Sequence, residues 1–357
     1  MPALRVLSAD SPTRARSEPH VPRQSDLRRG RGGPVRGHPL AVMMRQGETP
    51  VTQPSLLDGI DLGIGTWSWG DKSMWGYGRH YGDADLKGAF DAAIASGLRL
   101  FDTAEIYGFG RSERLLGRFA RDSGATVSIA TKFFPYPWRA APSQLLRALR
   151  RSLDRLGVAC VELYQTHWPL PPRPVVAWME PMAQAVSEGL IKEVGVSNYS
   201  ADQMRRAFDR LAARGVRLAS NQVEYSLLKR SVEVNGVLDA CRELGVRLIA
   251  YSPLAMGMLS GKYTPQSPPP GPRGLRYRSP LLASLQPLIG LLDEIGRGCG
   301  NKTRNQVALN WLICRGALPI PGAKSAAHAR DNAGAAGWRL SAADVAALDE
   351  ASVAFRK

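Results

Sequence analysis

The side chains of this chain whose types and spacing could do chemistry stand at the ends of short aliphatic runs. One run, 98–103, carries Asp102 and leads at once into Ala104-Glu105-Ile106-Tyr107-Gly108. A second, 127–133, carries Lys132, and a third, 161–166, leads into His167-Trp168-Pro169. Read as β-strands, successive side chains alternate between two faces. Leu98, Leu100 and Asp102 then share a face, as do Ser128, Ala130 and Lys132, and Gln165 with His167. Each polar residue alone has an ordinary structural reading: a solvated lysine, a hydrogen-bonded histidine. An acid, a phenol, an ammonium and an imidazole at consecutive strand ends suggest instead proton donation to a carbonyl that is receiving a hydride. The alkoxide formed there needs a general acid and neighbouring positive or hydrogen-bonding groups. Tyr107 would be the acid, with Lys132 lowering its pKa by favouring the phenolate. Asp102 would hold Lys132 in place, and His167 would orient the substrate oxygen or assist the proton relay.

These residues meet only if their strands lie side by side with the same ends together. The chain supports that arrangement with eight strand candidates: 62–66, 98–103, 127–133, 161–166, 193–197, 219–223, 247–252 and 317–321. Amphipathic stretches separate them. After Pro142, Leu145, Leu149, Leu153 and Leu156 fall on one helical face while Arg147, Arg150, Arg151 and Arg155 take the other, and Gly157 ends the helix. Similar helices are expected over 83–96, 112–121, 175–188, 201–213, 232–243, 285–296 and 326–336, with extra ones at 304–314, before the last strand, and 342–351, after the last unit. Eight such units in about 300 residues predict an α/β fold of the TIM (β/α)8 barrel type, with active residues at the carboxyl ends of its strands. A doubly wound open sheet is the alternative, but no GxGxxG follows the first strand. The Pro- and Gly-rich stretch 264–274 reads as a long loop in the seventh unit.

Composition excludes several classes. The 357 residues are 44% hydrophobic, with a mean hydropathy of −0.20, which is globular material. No apolar run approaches the roughly 20 residues that span a bilayer. Cys160, Cys241, Cys299 and Cys314 are widely spaced and form neither a metal motif nor a disulfide framework. The formal charge of +16 comes from 47 Lys and Arg against 31 Asp and Glu, scattered without long runs, so no nucleic-acid partner is expected. Residues 1–55 hold nine arginines, four acids and no lysine, without hydrophobic periodicity. They read as a disordered leader, an organelle transit peptide preceding a domain over 56–357; a tail without an address is the alternative.

The sequence resembles the aldo-keto reductase family over nearly all of the chain outside the leader. The motifs are Phe101-Asp102-Thr103-Ala104-Glu105-Ile106-Tyr107-Gly108, Thr131-Lys132-Phe133, Gln165-Thr166-His167-Trp168-Pro169, Gly195-Val196-Ser197-Asn198-Tyr199, Ser220-Asn221-Gln222-Val223-Glu224-Tyr225-Ser226, Ala250-Tyr251-Ser252-Pro253-Leu254 and Ile320-Pro321-Gly322-Ala323-Lys324. The insert with Gly261-Lys262-Tyr263-Thr264 and Gly271-Pro272-Arg273-Gly274, and the pair Trp138-Arg139, look like the plastid-type branch of plants and algae. That likeness strengthens the transit-peptide reading and implies a chloroplast stromal location, with the cytoplasm as the alternative.

The resemblance implies an NADPH-dependent oxidoreductase that reduces aldehydes or ketones, with Asp102, Tyr107, Lys132 and His167 as the catalytic set and no metal. It implies that the cofactor lies across the barrel mouth, past Thr66 and Trp67. Ser197, Asn198 and Gln222 would hold its carboxamide and Tyr251 would stack on the nicotinamide ring. Ser252, Pro253, Leu254, Gly257 and Lys262 would take the pyrophosphate. Pro321, Gly322, Lys324, Ser325, His328, Asp331 and Asn332 would meet the adenosine end, at a helix start that favours anions. Gly322 and Ala323 replace the family's common Lys-Ser pair, and His328 its downstream Arg; Lys324, with Arg330 in reserve, still favours NADPH over NADH. Trp67, Trp69, Trp75, Trp138 and Trp168 are expected in loops at the mouth, walls for a small apolar carbonyl substrate. The protein is expected to be a monomer or a weak oligomer. The rival function is a non-catalytic, NADPH-binding regulatory subunit of the same fold.

Overall fold

In the computed structural model, which describes residues 54–270, 274 and 279–356, eight parallel strands pair in sequence order. They are β1 (Ile64–Gly65), β2 (Leu100–Asp102), β3 (Ser128–Phe133), β4 (Val161–Thr166), β5 (Ile191–Ser197), β6 (Leu218–Glu224), β7 (Arg247–Tyr251) and β8 (Leu318–Pro319). The ring closes where the Gly63 N–H donates to Pro319 O at 3.1 Å and the Gly65 N–H to Pro321 O at 3.0 Å. Gly65 is required here, since a Cβ would stand 2.8 Å from Ile320 O. The expected (β/α)8 barrel is therefore the observed fold.

Strand alternation fills the ring. Leu100, Ala130, Leu163, Ala219, Ile249, Leu318 and Ile320 form a dry interior cluster with Leu57. Two residues further along their strands, at the period of a pleated strand, come Asp102, Lys132 and Gln165, all buried. The aliphatic layer is thus the platform for a polar one at the carboxyl ends. At the opposite end, Ser55–Ile60 cross the floor: Ser55 Oγ donates to Glu193 at 2.9 Å and Arg247 donates to Ile60 O at 3.1 Å. Ser55, which the sequence reading put in the leader, is buried in this floor and belongs to the barrel. Residues 1–53 of the expected leader lie outside the described residues.

A second, larger cluster packs the outer strand faces against the helices. The helices are α1 (Asp83–Ala95), α2 (Arg111–Ser123), α3 (Ser143–Leu156), α4 (Met179–Ser187), α5 (Ala201–Ala212), α6 (Val237–Glu243), α7 (Ser279–Gly298), α8 (Arg304–Cys314), α9 (Ala326–Ala333) and α10 (Ala342–Ala351). The leucine stripe of α3 is buried as its spacing predicts, and Gly157 ends the helix at φ 69°. Capping boxes at Ser200 with Gln203 and at Thr303 with Gln306 start α5 and α8.

Three expectations change. The helix expected over 232–243 is a 3-10 turn, Ser231–Glu233, and then α6, because Gly236 turns the backbone left-handed at φ 79°. The stretch 175–188 likewise begins as a 3-10 turn, Val175–Trp178. Leu98 does not share the inner face of Leu100: Gly97 turns at φ 85° just before it, so the alternation starts later and Leu98 joins the outer cluster. The loop expected over 264–274 follows a 3-10 segment, Ala255–Ser260, and Gly271, Pro272 and Arg273 lie outside the described residues.

Leu163 is 1% exposed in the interior layer beneath the polar one. Leu163→Ala should lower the unfolding free energy by about 2–5 kcal/mol in urea denaturation at neutral pH. A loss below about 1 kcal/mol would mean that the layer is not close-packed.

Candidate active site

Lys132 is fully buried, and its ammonium meets three oxygens: the Asp102 carboxylate in a short ion pair, Thr103 O at 2.8 Å and the Tyr107 hydroxyl at 3.3 Å. All three ammonium protons thus have acceptors. The second oxygen of Asp102 accepts from Gln165 Nε2 at 3.1 Å and Gln222 Nε2 at 2.8 Å. β2, β3, β4 and β6 therefore converge on one carboxylate. Tyr107 stands in the 3-10 turn Tyr107–Gly110 that follows β2, its ring half-buried and 5.6 Å from that of His167, edge to face. His167 follows β4, which its N–H ties to Phe133 O of β3 at 2.9 Å.

The electrostatics follow from burial and this grouping. Burial alone would push the Lys132 ammonium down, but the Asp102 carboxylate and then the Tyr107 phenol outweigh it, and its pKa lies above the ordinary lysine value. The Tyr107 phenol is raised above the ordinary tyrosine value, chiefly by burial; Lys132 pulls it down and Asp102 pushes it up. The expected sign of the Lys132 effect is present, but the expected net lowering is not, because desolvation and the Asp102 charge exceed it. His167 lies well below the ordinary histidine value, through burial and then repulsion by Lys132, so its imidazole is neutral.

These groups open into a cleft of about 640 Å³. Asp102, Tyr107 and His167 line it, and Lys132 lies just behind them, fully enclosed. At the centre Tyr251 donates to Asn198 Oδ1 at 3.1 Å, Asn198 donates to Ser197 Oγ at 3.0 Å and His167 O at 3.2 Å, and Ser197 donates to Gln222 O at 2.8 Å. Ser252, Pro253, Leu254, Gly257 and Lys262 continue the wall on the loop after β7. Pro321, Gly322, Lys324, His328, Asp331 and Asn332 finish it at β8 and α9. A Cβ on Gly322 would find only Gly65 O, at 3.8 Å, so the missing side chain leaves room in the cleft itself.

Two expected cofactor residues do not line it. Thr66 is fully buried, its hydroxyl donating to Asp102 O at 2.9 Å and lying 2.7 Å from Ser112 Oγ; that correction follows from its position inside the β1–β2 junction. Ser325 instead caps α9, accepting from the His328 N–H at 3.3 Å. Gln222, expected toward a carboxamide, turns its amide nitrogen to Asp102 and Gln165. The Lys324 ammonium lies over the rings of Trp75 at 4.3 Å and Tyr81 at 4.9 Å, and Arg330 does not line the cleft. His328 is lowered by burial, then by Lys262 and Lys324. Of the tryptophans, Trp67, Trp75 and Trp168 line the cleft. Trp69 is core, donating to Ala323 O at 2.9 Å, and Trp138 is 71% exposed away from it.

The sequence reading gave no role to Gln165 or to Asn305. Gln165 carried a signal, its strand spacing from Leu163. Asn305 did not: it donates to Asp331 at 2.7 Å from α8, a contact that only the fold creates. Five of the six non-glycine residues at positive φ among the described residues stand in loops after β2, β5 and β7: Phe109, Asn198, Ser252, Ala255 and Met256. Strain of this kind persists where surrounding structure imposes it, commonly at functional sites.

The model of the Aldo/keto reductase family matches residues 61–353, and the chain belongs to that family. It is 45% identical over 293 residues to the chloroplastic pyridoxal reductase of Arabidopsis thaliana, covering 78% of this chain and 79% of that protein. The structure of a glycerol dehydrogenase from Gluconobacter oxydans matches with a TM-score of 0.72 at 25% identity, over 83% of this chain and 92% of that one. An aldo/keto reductase from Klebsiella pneumoniae, in complex with NADP and acetate, matches with a TM-score of 0.65 at 30% identity, over 81% and 90%.

The lowered pKa of His167 has a consequence for stability. The unfolded chain takes up a proton below about pH 6.5 while the folded one keeps this ring neutral, so stability is fully present above that pH and falls as the pH drops below it. Between pH 7 and pH 5 the wild type should lose more unfolding free energy than His167→Gln, with a slope difference approaching about 1.4 kcal/mol per pH unit. Equal losses in urea denaturation would contradict a neutral, buried His167.

Proposed function

We propose that the protein reduces an aldehyde or ketone to the alcohol with NADPH, Tyr107 serving as the general acid. The observation that carries this reading is the Tyr107 hydroxyl, 3.3 Å from the buried Lys132 ammonium and facing a cleft shared with a neutral His167. NADPH supplies a hydride when bound. Tyr107, protonated at neutral pH because its pKa is raised, gives its proton to the developing alkoxide. The Lys132 ammonium stabilises the phenolate that remains, and Asp102 keeps that ammonium charged and in place. His167, neutral, orients the carbonyl oxygen by a hydrogen bond.

The cleft suits an extended nicotinamide dinucleotide. Ser197 and Asn198 would face its carboxamide and Tyr251 its ring. Ser252, Pro253, Leu254, Gly257 and Lys262 would hold the pyrophosphate, and Lys324 with the start of α9 would meet a 2′-phosphate, which favours NADPH over NADH. Trp67, Trp75 and Trp168 give the substrate end flat apolar walls, which fit a planar aromatic aldehyde such as the pyridoxal named for the plant relative. The chloroplastic relative also supports a plastid location, with the residues that precede the barrel acting as a transit peptide. The grouping of Asp102, Tyr107, Lys132 and His167 at one cleft supports catalysis over a non-catalytic, NADPH-binding regulatory role.

Tyr107→Phe removes the acid and little else. It should bind NADPH as the wild type does in a fluorescence titration, while oxidation of NADPH with 4-nitrobenzaldehyde or pyridoxal falls by at least about 10²-fold. Turnover at the wild-type rate would remove Tyr107 from the mechanism.

A further inference from the structure

Glu105 stands between Asp102 and Tyr107 in sequence but points away from both, into the loop after β3. Its side chain is 9% exposed and accepts three hydrogen bonds, from the Phe134 N–H at 2.7 Å, from Arg139 Nη2 at 3.0 Å and from Arg139 Nη1. Arg139 is 13% exposed; it also donates to Phe134 O at 2.9 Å, and its guanidinium lies over the rings of Phe133 at 4.8 Å and Tyr136 at 5.2 Å. A bidentate pair this enclosed is expensive to desolvate and adds little net stability over an apolar substitute, but its planar fork fixes geometry. Here the fixed element is Phe134, whose N–H is held by Glu105 and whose carbonyl is held by Arg139.

Phe134 matters because of its neighbour. Its ring meets the His167 imidazole edge to face at 5.6 Å and 79°, and the Tyr107 ring meets the same imidazole at 5.6 Å and 79°. His167 Nδ1 is buried with no hydrogen-bond partner among the described residues. Histidines at reacting centres are usually oriented by a hydrogen bond to one ring nitrogen. In this site the imidazole has two T-shaped ring contacts instead, with Phe134 and Tyr107.

We propose that Glu105 and Arg139 are positioning residues for the carbonyl reduction: the pair sets Phe134, and Phe134 with Tyr107 sets the His167 imidazole beside the phenol. Glu105 is tied to both rings that contact the imidazole, since its backbone lies two residues before Tyr107 and its side chain holds the N–H of Phe134. The inference rests on Tyr107 and His167 being the reacting pair proposed above, and it deepens that reading by naming what aligns them.

The test compares Glu105→Gln, Phe134→Leu and the double variant with wild type, each with saturating NADPH and 4-nitrobenzaldehyde. NADPH affinity is measured by fluorescence and stability by thermal melting. Misalignment of an oriented pair acts on kcat, so each single variant should lose roughly tenfold or more in kcat with NADPH affinity unchanged. Because both changes act through one imidazole, the double variant should be no slower than the slower single one. Arg139→Lys, which keeps the charge but not the fork, should lose kcat as well. A lowered melting temperature with wild-type kcat, or losses that multiply in the double variant, would overturn the proposal. If Glu105→Gln does not fold, Phe134→Leu decides: wild-type kcat in that variant overturns the proposal. An inactive wild type would remove the reductase reading itself and this inference with it, whereas an active wild type matched by Glu105→Gln removes this inference alone.

Discussion

The structure depends on one interaction, the ion pair between Lys132 and Asp102 inside the barrel mouth, with side chains 0% and 3% exposed. Removing two charges from water costs several kcal/mol per ion, and attraction repays this only where every remaining proton and lone pair is met. The barrel meets them. Thr103 O and Tyr107 complete the ammonium, and Gln165 and Gln222 complete the carboxylate. Doing so requires four strands in fixed register at one height, which the aliphatic layer below provides. The same requirement brings Tyr107 to the ammonium, which pulls the phenol pKa down against the burial that raises it.

The division of labour between barrel and loops follows from this. Strands carry Asp102, Lys132, Gln165 and Gln222, where packing holds them to fractions of an ångström. Loops carry Tyr107, His167, Asn198, Ser252 and the tryptophans that face the cleft. Asn198 and Ser252 among them sit at positive φ, imposed by neighbours rather than chosen by the residue. The surplus of positive charge seen in the sequence plays a small part: Lys132, Lys262 and Lys324 face the site or stand behind it, while many arginines pair with acids on the outer helices, as Arg150 does with Glu188 and Arg205 with Glu243.

Much of this was legible in the sequence, for identifiable reasons. Eight strands could be placed because buried strands are written as continuous aliphatic runs between amphipathic helices. Asp102, Lys132 and Gln165 could be placed because they interrupt those runs at the strand period. Edges were harder. Alternation places Leu98 on the inner face because it does not announce where a strand starts, and Trp69 reads as a mouth residue because a tryptophan one turn beyond a strand can point either way. The net pKa direction of Tyr107 was missed because burial, the largest contribution, is a property of the fold and leaves no trace in spacing. Glu105 and Arg139 are 34 residues apart, and nothing local marks them as partners. Thr66 reads as a strand-end polar residue, yet its hydroxyl is consumed inside the β1–β2 junction.

In the proposed mechanism the paired charge beneath Tyr107 is what makes the phenol an effective acid. Removing one partner alone would strand a buried charge, so the decisive protein is the double variant Asp102→Asn with Lys132→Met, neutral at both positions. Its single-turnover rate of carbonyl reduction at pH 7, with bound NADPH and 4-nitrobenzaldehyde, is the direct measurement. The account predicts a folded protein that binds NADPH normally and reduces the aldehyde at least about 10²-fold more slowly than wild type. A rate within about threefold of wild type would contradict it.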